Sequence, residues 1–153
     1  MYTILKFISP LLNLENIMFK PTTKVIVIDD FKTMRKLVIQ SLSTCGLTNV
    51  VEAEDAADAL PIIEAAVKSP EPFGLVVSDW NMPKMQGIDL LKKVRASEAT
   101  KALPFLLVTA EAEQKNIVEA LQAGVSNYIV KPFSPATFKE KITAIYKKHF
   151  PNG

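Results

Sequence analysis

Short apolar runs alternate along this chain with longer segments of helical period. The runs at residues 24–28, 49–53, 73–78, 104–109 and 126–130 read as strands, and the segments at 32–45, 55–68, 86–96, 111–123 and 134–149 as helices. In the last helix Phe138, Ile142, Ile145 and Tyr146 recur at three- and four-residue spacing, while Lys139, Glu140, Lys141, Lys147 and Lys148 take the wet side. Met34, Leu37, Val38 and Leu42 form the corresponding stripe of the first helix. In the fourth helix Val118 and Leu121 are expected in the core, which leaves Ile117 outward. The strands around Val25–Ile28 and Val76-Val77 are too uniformly apolar to have a solvated face, so they are expected at the centre of the sheet. Five strand–helix pairs with short connections predict an α/β fold, a parallel sheet covered on both faces. Right-handed crossovers then allow an open, doubly wound (βα)5 arrangement.

Local punctuation agrees with these elements. Gly46 and Gly124 follow helical runs and suit a left-handed closing residue. Ser134 precedes Pro135, a cap followed by proline at the first helical position, and Asp55 can cap the second helix. Residues 1–23 stand apart as an extension or a misassigned start, with Met18 an alternative first residue and 19–23 a turn or linker. Pro10 and the lack of a small-residue cleavage site make this stretch a poor match to a signal peptide. The main unit is expected over 24–149, followed by a tail at 150–153.

Composition narrows the class. At 153 residues the chain suits one domain with a sizeable core. Its 48% apolar and 22% charged content is that of an ordinary globular protein. A net charge of +2, with both signs interspersed, offers no concentrated basic face for nucleic acid. No run approaches the ~18 uninterrupted apolar residues of a membrane span. The one cysteine, Cys45, permits no intrachain disulfide and reads as a small buried hydrophobe. A reducing, cytoplasmic setting and a monomer are the corresponding expectations.

The chemistry gathers at strand ends. Asp29 and Asp30 close the first apolar run, Asp79 the third, Thr109 the fourth and Lys131 the fifth. Ligand sites in open parallel sheets lie outside the carboxyl ends of the strands, where strand order reverses. Three carboxylates meeting there repel one another unless a hard cation neutralises them, and oxygen-only ligands suit Mg2+. Asp79, centrally placed, is the expected nucleophile, since a carboxylate can accept a phosphoryl group as an acyl phosphate. Asp29 and Asp30 would hold Mg2+ directly or through water, with backbone groups of Asn81 and Ala110 completing the coordination and anion sites. Lys131 and the Thr109 hydroxyl would pair with phosphoryl oxygens. Whether the Lys131–Pro132 bond is cis is left open at this level. His149, the only histidine, reads as a cation at a helix C-terminus. Trp80 beside the nucleophile is expected to be a partly exposed ring.

These residues resemble those of the receiver domain of bacterial two-component signalling, and more narrowly the stand-alone chemotaxis response regulators. The matching segments are Val27-Ile28-Asp29-Asp30-Phe31 with Thr33-Met34-Arg35, Ser78-Asp79-Trp80-Asn81-Met82-Pro83, Val108-Thr109-Ala110-Glu111, and Tyr128-Ile129-Val130-Lys131-Pro132-Phe133. The resemblance implies a flavodoxin-like sheet of order 2-1-3-4-5. It implies phosphoryl transfer to Asp79 from a chemotaxis histidine kinase, with Mg2+ bound through Asp30, Asp79 and the Asn81 carbonyl and Asp29 nearby. Such a protein is not an enzyme, beyond catalysing its own phosphorylation and slow dephosphorylation. The resemblance further implies that Thr109 moves toward the phosphoryl group and lets Tyr128 rotate inward, a population shift between two packings. Ala112, Ile117, Tyr128 and Lys141 then correspond to the surface that meets the flagellar motor switch protein. Asn81 and Glu111 flank the path of hydrolytic water and help to set the phosphoryl lifetime. A plainer reading of Tyr128 is a half-buried aromatic with its hydroxyl in water.

Three departures stand out against the enteric relatives. The loop with Ser69-Pro70-Glu71-Pro72 is longer, Gln86 replaces an acidic residue before Gly87, and the charge balance is slightly basic. They bear on recognition by a dedicated phosphatase. Two other functions fit the same residues: a phosphorelay intermediate that passes its phosphoryl group to a histidine phosphotransfer protein, and a Mg2+-dependent phosphohydrolase. The last predicts turnover of small phosphate esters, whereas a receiver only labels itself.

Overall fold

The structure, a computed structural model, describes residues 18–110 and 113–152. Its elements are β1 (Val25–Ile28), α1 (Lys32–Thr44), β2 (Val50–Ala53), α2 (Ala56–Val67), β3 (Leu75–Asp79), α3 (Gly87–Ala96), β4 (Phe105–Thr109), α4 (Gln114–Gln122), β5 (Asn127–Val130) and α5 (Pro135–His149). The five strands pair in parallel in the order β2-β1-β3-β4-β5. The expected α/β fold and strand order are present. Every residue of β1, β3 and β4 is buried, which explains their unbroken apolar runs, whereas the edge strands β2 and β5 are partly exposed.

Strand alternation sends side chains into two apolar layers. On one face Val25, Val27, Leu75 and Val77 meet Val38 and Leu42 of α1 and Phe138, Ile142 and Ile145 of α5. On the other, Ile26, Ile28 and Val76 meet Ile63 of α2, Ile88 and Leu91 of α3, and Ala120 of α4. Asp55 caps α2 by accepting the Asp58 amide at 2.8 Å, and Ser134 caps α5 by accepting the Thr137 amide at 3.1 Å. Gly46 and Gly124 take positive φ, at 79° and 86°.

Several side chains sit differently from their expected places. In α1 the inward face carries Arg35, Val38, Ser41 and Leu42, and Leu37 is 46% exposed. The phase of α4 is set by Ala120, whose small side chain lets the helix lie close to the sheet. Val118 and Leu121 therefore point to solvent, and Ile117 is partly buried. Trp80 is buried, and Cys45 is only half-buried at the end of α1, where burial raises its thiol pKa. Residues 18–23 are more than a linker, because Phe19 is buried edge-on against Tyr146 and beside Phe150. Residues 1–17, expected as an extension, lie outside the described residues, as do Glu111 and Ala112.

His149 also departs from the cationic role. Its Nε2 lies 2.6 Å from the Ser126 hydroxyl, at the amino edge of the sheet. Burial, followed by Arg95 and Lys148, lowers its pKa, so the ring is neutral at pH 7. Arg95 completes that corner by donating to the carbonyls of Gly124 and Leu103 at 2.8 and 2.6 Å. The cluster ties loops together at the opposite edge of the sheet from the acidic residues.

Candidate functional site at the carboxyl edge of the sheet

The sheet register assembles the acidic residues. Ile28 pairs with Ser78 across β1 and β3, so Asp29 follows one strand directly beside Asp79 of the other. This is the point at which strand order reverses. One carboxylate oxygen from each of Asp29, Asp30 and Asp79 lies within 4.8 Å of the other two. Asp29 and Asp79 are buried, whereas Asp30 is exposed. Thr109 pairs with Val130 across β4 and β5, and the Lys131 amide donates to the Thr109 carbonyl at 2.8 Å. Lys131 Nζ donates to Asp79 Oδ1 at 3.0 Å, and the Lys131–Pro132 peptide bond is cis. Thr109 itself is buried at the end of β4, and Asn81 is exposed in the loop after β3.

Electrostatics distinguishes the carboxylates. Burial is the main cause that pushes Asp29 up to about 6; the Asp79 and Asp30 charges add to it, while the Phe31 amide at 2.9 Å and Lys131 oppose it. Burial also raises the pKa of Asp79, offset mainly by the hydrogen bond and charge of Lys131. A dense set of oxygen ligands with a destabilised charge is what a hard cation relieves. The donor set therefore fits a divalent ion of the Mg2+ class.

That environment predicts a pH dependence. In the ion-free protein the folded-state pKa of Asp29 lies above its unfolded value of 3.8. Its contribution to stability is therefore fully present below pH 3.8 and lost as pH rises through about 6. Asp29→Asn should stabilise the ion-free fold at pH 8 by on the order of 1–3 kcal/mol, and not at pH 3.5. Urea denaturation at the two pH values measures this. Equal effects at both would contradict the assignment.

Two residues outside the expected set hold this edge in place. Arg35, buried on the inner face of α1, donates from Nη1 to the Asp29 carbonyl at 2.7 Å and from Nε to Glu52 of β2 at 3.0 Å. An arginine on the apolar stripe of a helix was the available signal, because a buried guanidinium requires partners. The second is Gly87, where α3 starts over the end of β3. Its amide donates to the Trp80 carbonyl at 2.9 Å, and a Cβ there would fall 2.1 Å from the Asp79 carbonyl oxygen. Asp89 accepts the Gln86 amide at 3.3 Å, so a carboxylate still serves the first turn of α3 although Gln86 is neutral. Gly87→Ala should destabilise the fold by about 1–3 kcal/mol, because backbone rather than a movable side chain must give way. An unchanged urea midpoint would refute it.

Of the other singled-out residues, Tyr128 is half-buried against the α2–α4 layer, with Lys141 Nζ 4.9 Å from its ring centroid. Both lie on the β5–α5 flank. No helix among the described residues is long and apolar enough to cross a membrane.

A five-stranded sheet of this order, with acidic residues at the reversal point and a lysine at the fifth strand end, defines the receiver class of signalling proteins. The chain matches the response regulator receiver domain family over residues 25–143, and it belongs to that family. Among its relatives, chemotaxis protein CheY-3 of Vibrio cholerae is 50% identical over 82% of this chain and 92% of its own length. Chemotaxis protein CheY of Pseudomonas aeruginosa is 48% identical over 82% of this chain and 97% of its own. These similarities place the chain among the chemotaxis response regulators. Solved structures agree in fold: Vibrio cholerae chemotaxis protein CheY4 aligns with a TM-score of 0.71 at 31% identity, covering 80% of this chain and 98% of its own. A CheY-like receiver domain protein from Methanospirillum hungatei aligns with a TM-score of 0.72 at 29% identity, covering 86% and 98%.

Proposed function

We propose that this receiver takes a phosphoryl group on Asp79 from a chemotaxis histidine kinase and, so charged, binds the flagellar motor switch to control rotation. The observation that carries this reading is a buried Asp79 carboxylate 3.0 Å from Lys131 Nζ, with Asp29 and Asp30 oxygens within 4.8 Å. An Asp79 oxygen attacks phosphorus, the P–N bond to the donor histidine breaks as the P–O bond forms, and the imidazole leaves with a proton. Burial limits competing water at the nucleophile, and Lys131 shifts from the carboxylate to a phosphoryl oxygen. The Thr109 hydroxyl takes a second oxygen. Asp29, Asp30, Asp79 and the Asn81 carbonyl would hold Mg2+, which when bound neutralises charge on the phosphoryl oxygens. Asn81, exposed in the loop after β3, governs the slow loss of the acyl phosphate to water; the same role that the resemblance gives Glu111 falls outside the described residues.

The signal leaves through the surface made by α4, β5 and α5, where Ile117, Tyr128 and Lys141 meet the switch protein; Ala112, which the resemblance adds to that surface, lies outside the described residues. Movement of Thr109 opens space for Tyr128 to turn inward, biasing a two-state packing. The names of the relatives favour this over a phosphorelay role. The protein works as a cytoplasmic monomer, with a phosphatase as a further partner. The test is affinity for a flagellar switch peptide with and without beryllofluoride and Mg2+. Affinity should rise about tenfold or more, or 1.4 kcal/mol. No rise, together with binding to a histidine phosphotransfer protein, would replace this reading with the relay.

A further inference from the structure

The polar corner at the amino edge of the sheet plays no part in the chemistry at Asp79, yet its hydrogen bonds have a fixed direction. Ser126 Oγ accepts the Phe105 amide at 2.9 Å and Arg95 Nη2 at 3.4 Å. A hydroxyl oxygen has two lone pairs, so both are taken and only its own hydrogen is left to give. That hydrogen goes to His149 Nε2 at 2.6 Å, which must be bare to receive it. Nδ1 then carries the ring hydrogen, which bonds the Ala102 backbone. A second proton, on Nε2, would set three donors around one serine oxygen and leave the hydroxyl hydrogen without its acceptor.

The charges that face the ring act the same way. Arg95 comes from α3 and Lys148 from α5, and both oppose a charged imidazole. Arg95 is held in place by the Gly124 and Leu103 carbonyls at 2.8 and 2.6 Å. Residues 123–127, leading into β5, carry no ionisable side chain, and in the loop before β4 Glu98 and Lys101 pair with each other at 2.8 Å. The segment at 18–23 brings Lys20 alongside Phe150, again a positive charge. A helix C-terminus ordinarily welcomes a cation, but Lys147 and Lys148 already occupy that last turn. Burial weighs on the same side, so the neutral ring is the form that fits.

This contact lies where α5 ends. Together with the Lys148 Nζ bond to the Val125 carbonyl at 3.4 Å, it joins the last turn of α5 to the residues that lead into β5. Phe150, the next residue, lines an apolar cavity with Ile63, Phe73 and Leu103. We propose that Ser126 and His149 form a proton-released latch: in acid the imidazolium parts from the serine and Arg95, and the last turn of α5 lifts with Phe150 from the amino edge of the sheet. The latch stands at the opposite edge from Asp79 and works without it. For a base held neutral in the fold, the stability it contributes is present above the ordinary histidine value of 6.5 and is lost as pH falls through the lowered folded value. The latch is therefore closed at neutral pH and opens below it.

The test is NMR on the full chain between about pH 7.5 and about pH 5. At the upper end the His149 ring should carry its hydrogen on Nδ1 and none on Nε2. Exchange protection of the amides of Lys148, His149 and Phe150, the last of which donates to the Tyr146 carbonyl at 2.8 Å, should fall about tenfold or more across the range, in step with the imidazole titration. The amide of Ile142, in the middle of α5, should keep its protection. His149→Gln offers an oxygen that accepts the serine hydrogen without titrating, so its last turn should stay protected throughout. That variant keeps the Asp29 titration at the other edge and so separates the two. Ser126→Ala should show the low protection already at the upper pH. A hydrogen on Nε2 at the upper pH would overturn the proposal. So would a loss of protection no larger than that of His149→Gln, or full protection in Ser126→Ala.

Discussion

Replacing Asp79 by asparagine is expected to abolish acid-labile labelling by acetyl phosphate in the presence of Mg2+. The carboxamide has the same shape but no anionic oxygen to attack phosphorus, and it ends the charge pairing with Lys131 at 3.0 Å. Asp29 and Asp30 do not substitute for it. Asp29 is buried with its carboxylate bound to the Phe31 amide, Asp30 is exposed, and the Lys131 hydrogen bond is made to Asp79. The measurement is phosphate incorporation per mole of protein. Full stoichiometry in the variant would remove Asp79 from the mechanism.

The second large effect concerns Lys131→Arg. Phosphorylation should persist, because the nucleophile and the acidic cluster are untouched. The gain in affinity for a flagellar switch peptide on addition of beryllofluoride should fall about tenfold. A compact ammonium can pass from the Asp79 carboxylate to a phosphoryl oxygen within one site, whereas a planar guanidinium fork imposes its own geometry. Lys131 also follows directly from β5, which carries Tyr128 of the proposed switch surface, so its position would link the charge to that surface. An undiminished gain in the variant would show that the lysine does not couple the two.

The site is assembled at some cost to the fold. Asp29 is held buried at a raised pKa, and Arg35 is buried to pin its backbone. Both are arrangements that a stability-optimised protein would avoid. The stabilising direction expected for Asp29→Asn and the functional need for its charge are two aspects of one fact. In the proposed ion-bound state a cation would neutralise the charge that the ion-free fold holds at a cost.

Much of this was legible before any coordinates. Unbroken runs such as Val25–Ile28 marked buried strands, and Asp29, Asp79, Thr109 and Lys131 marked their ends. Ser134-Pro135 and Asp55 located helix starts to within a residue. Other features were not legible. Val118 and Leu121 looked like core because they are the large apolar residues of α4, yet close approach to the sheet favoured the small Ala120. Leu37 lost its expected place because Arg35 turned α1 to reach Asp29 and Glu52. His149 read as a cation until Ser126, distant in sequence, was found against it.

The chain by itself determined the elements, their order and the chemical character of each strand end, since these depend on periodicity and on residues adjacent in sequence. Only the tertiary structure decided that Asp29 stands beside Asp79 and that Lys131 reaches back across β4 to them. It alone decided which side of each helix is buried and what makes His149 neutral. Those outcomes depend on pairing between segments far apart in the chain. There, register, packing distance and desolvation act together, and no local window contains them.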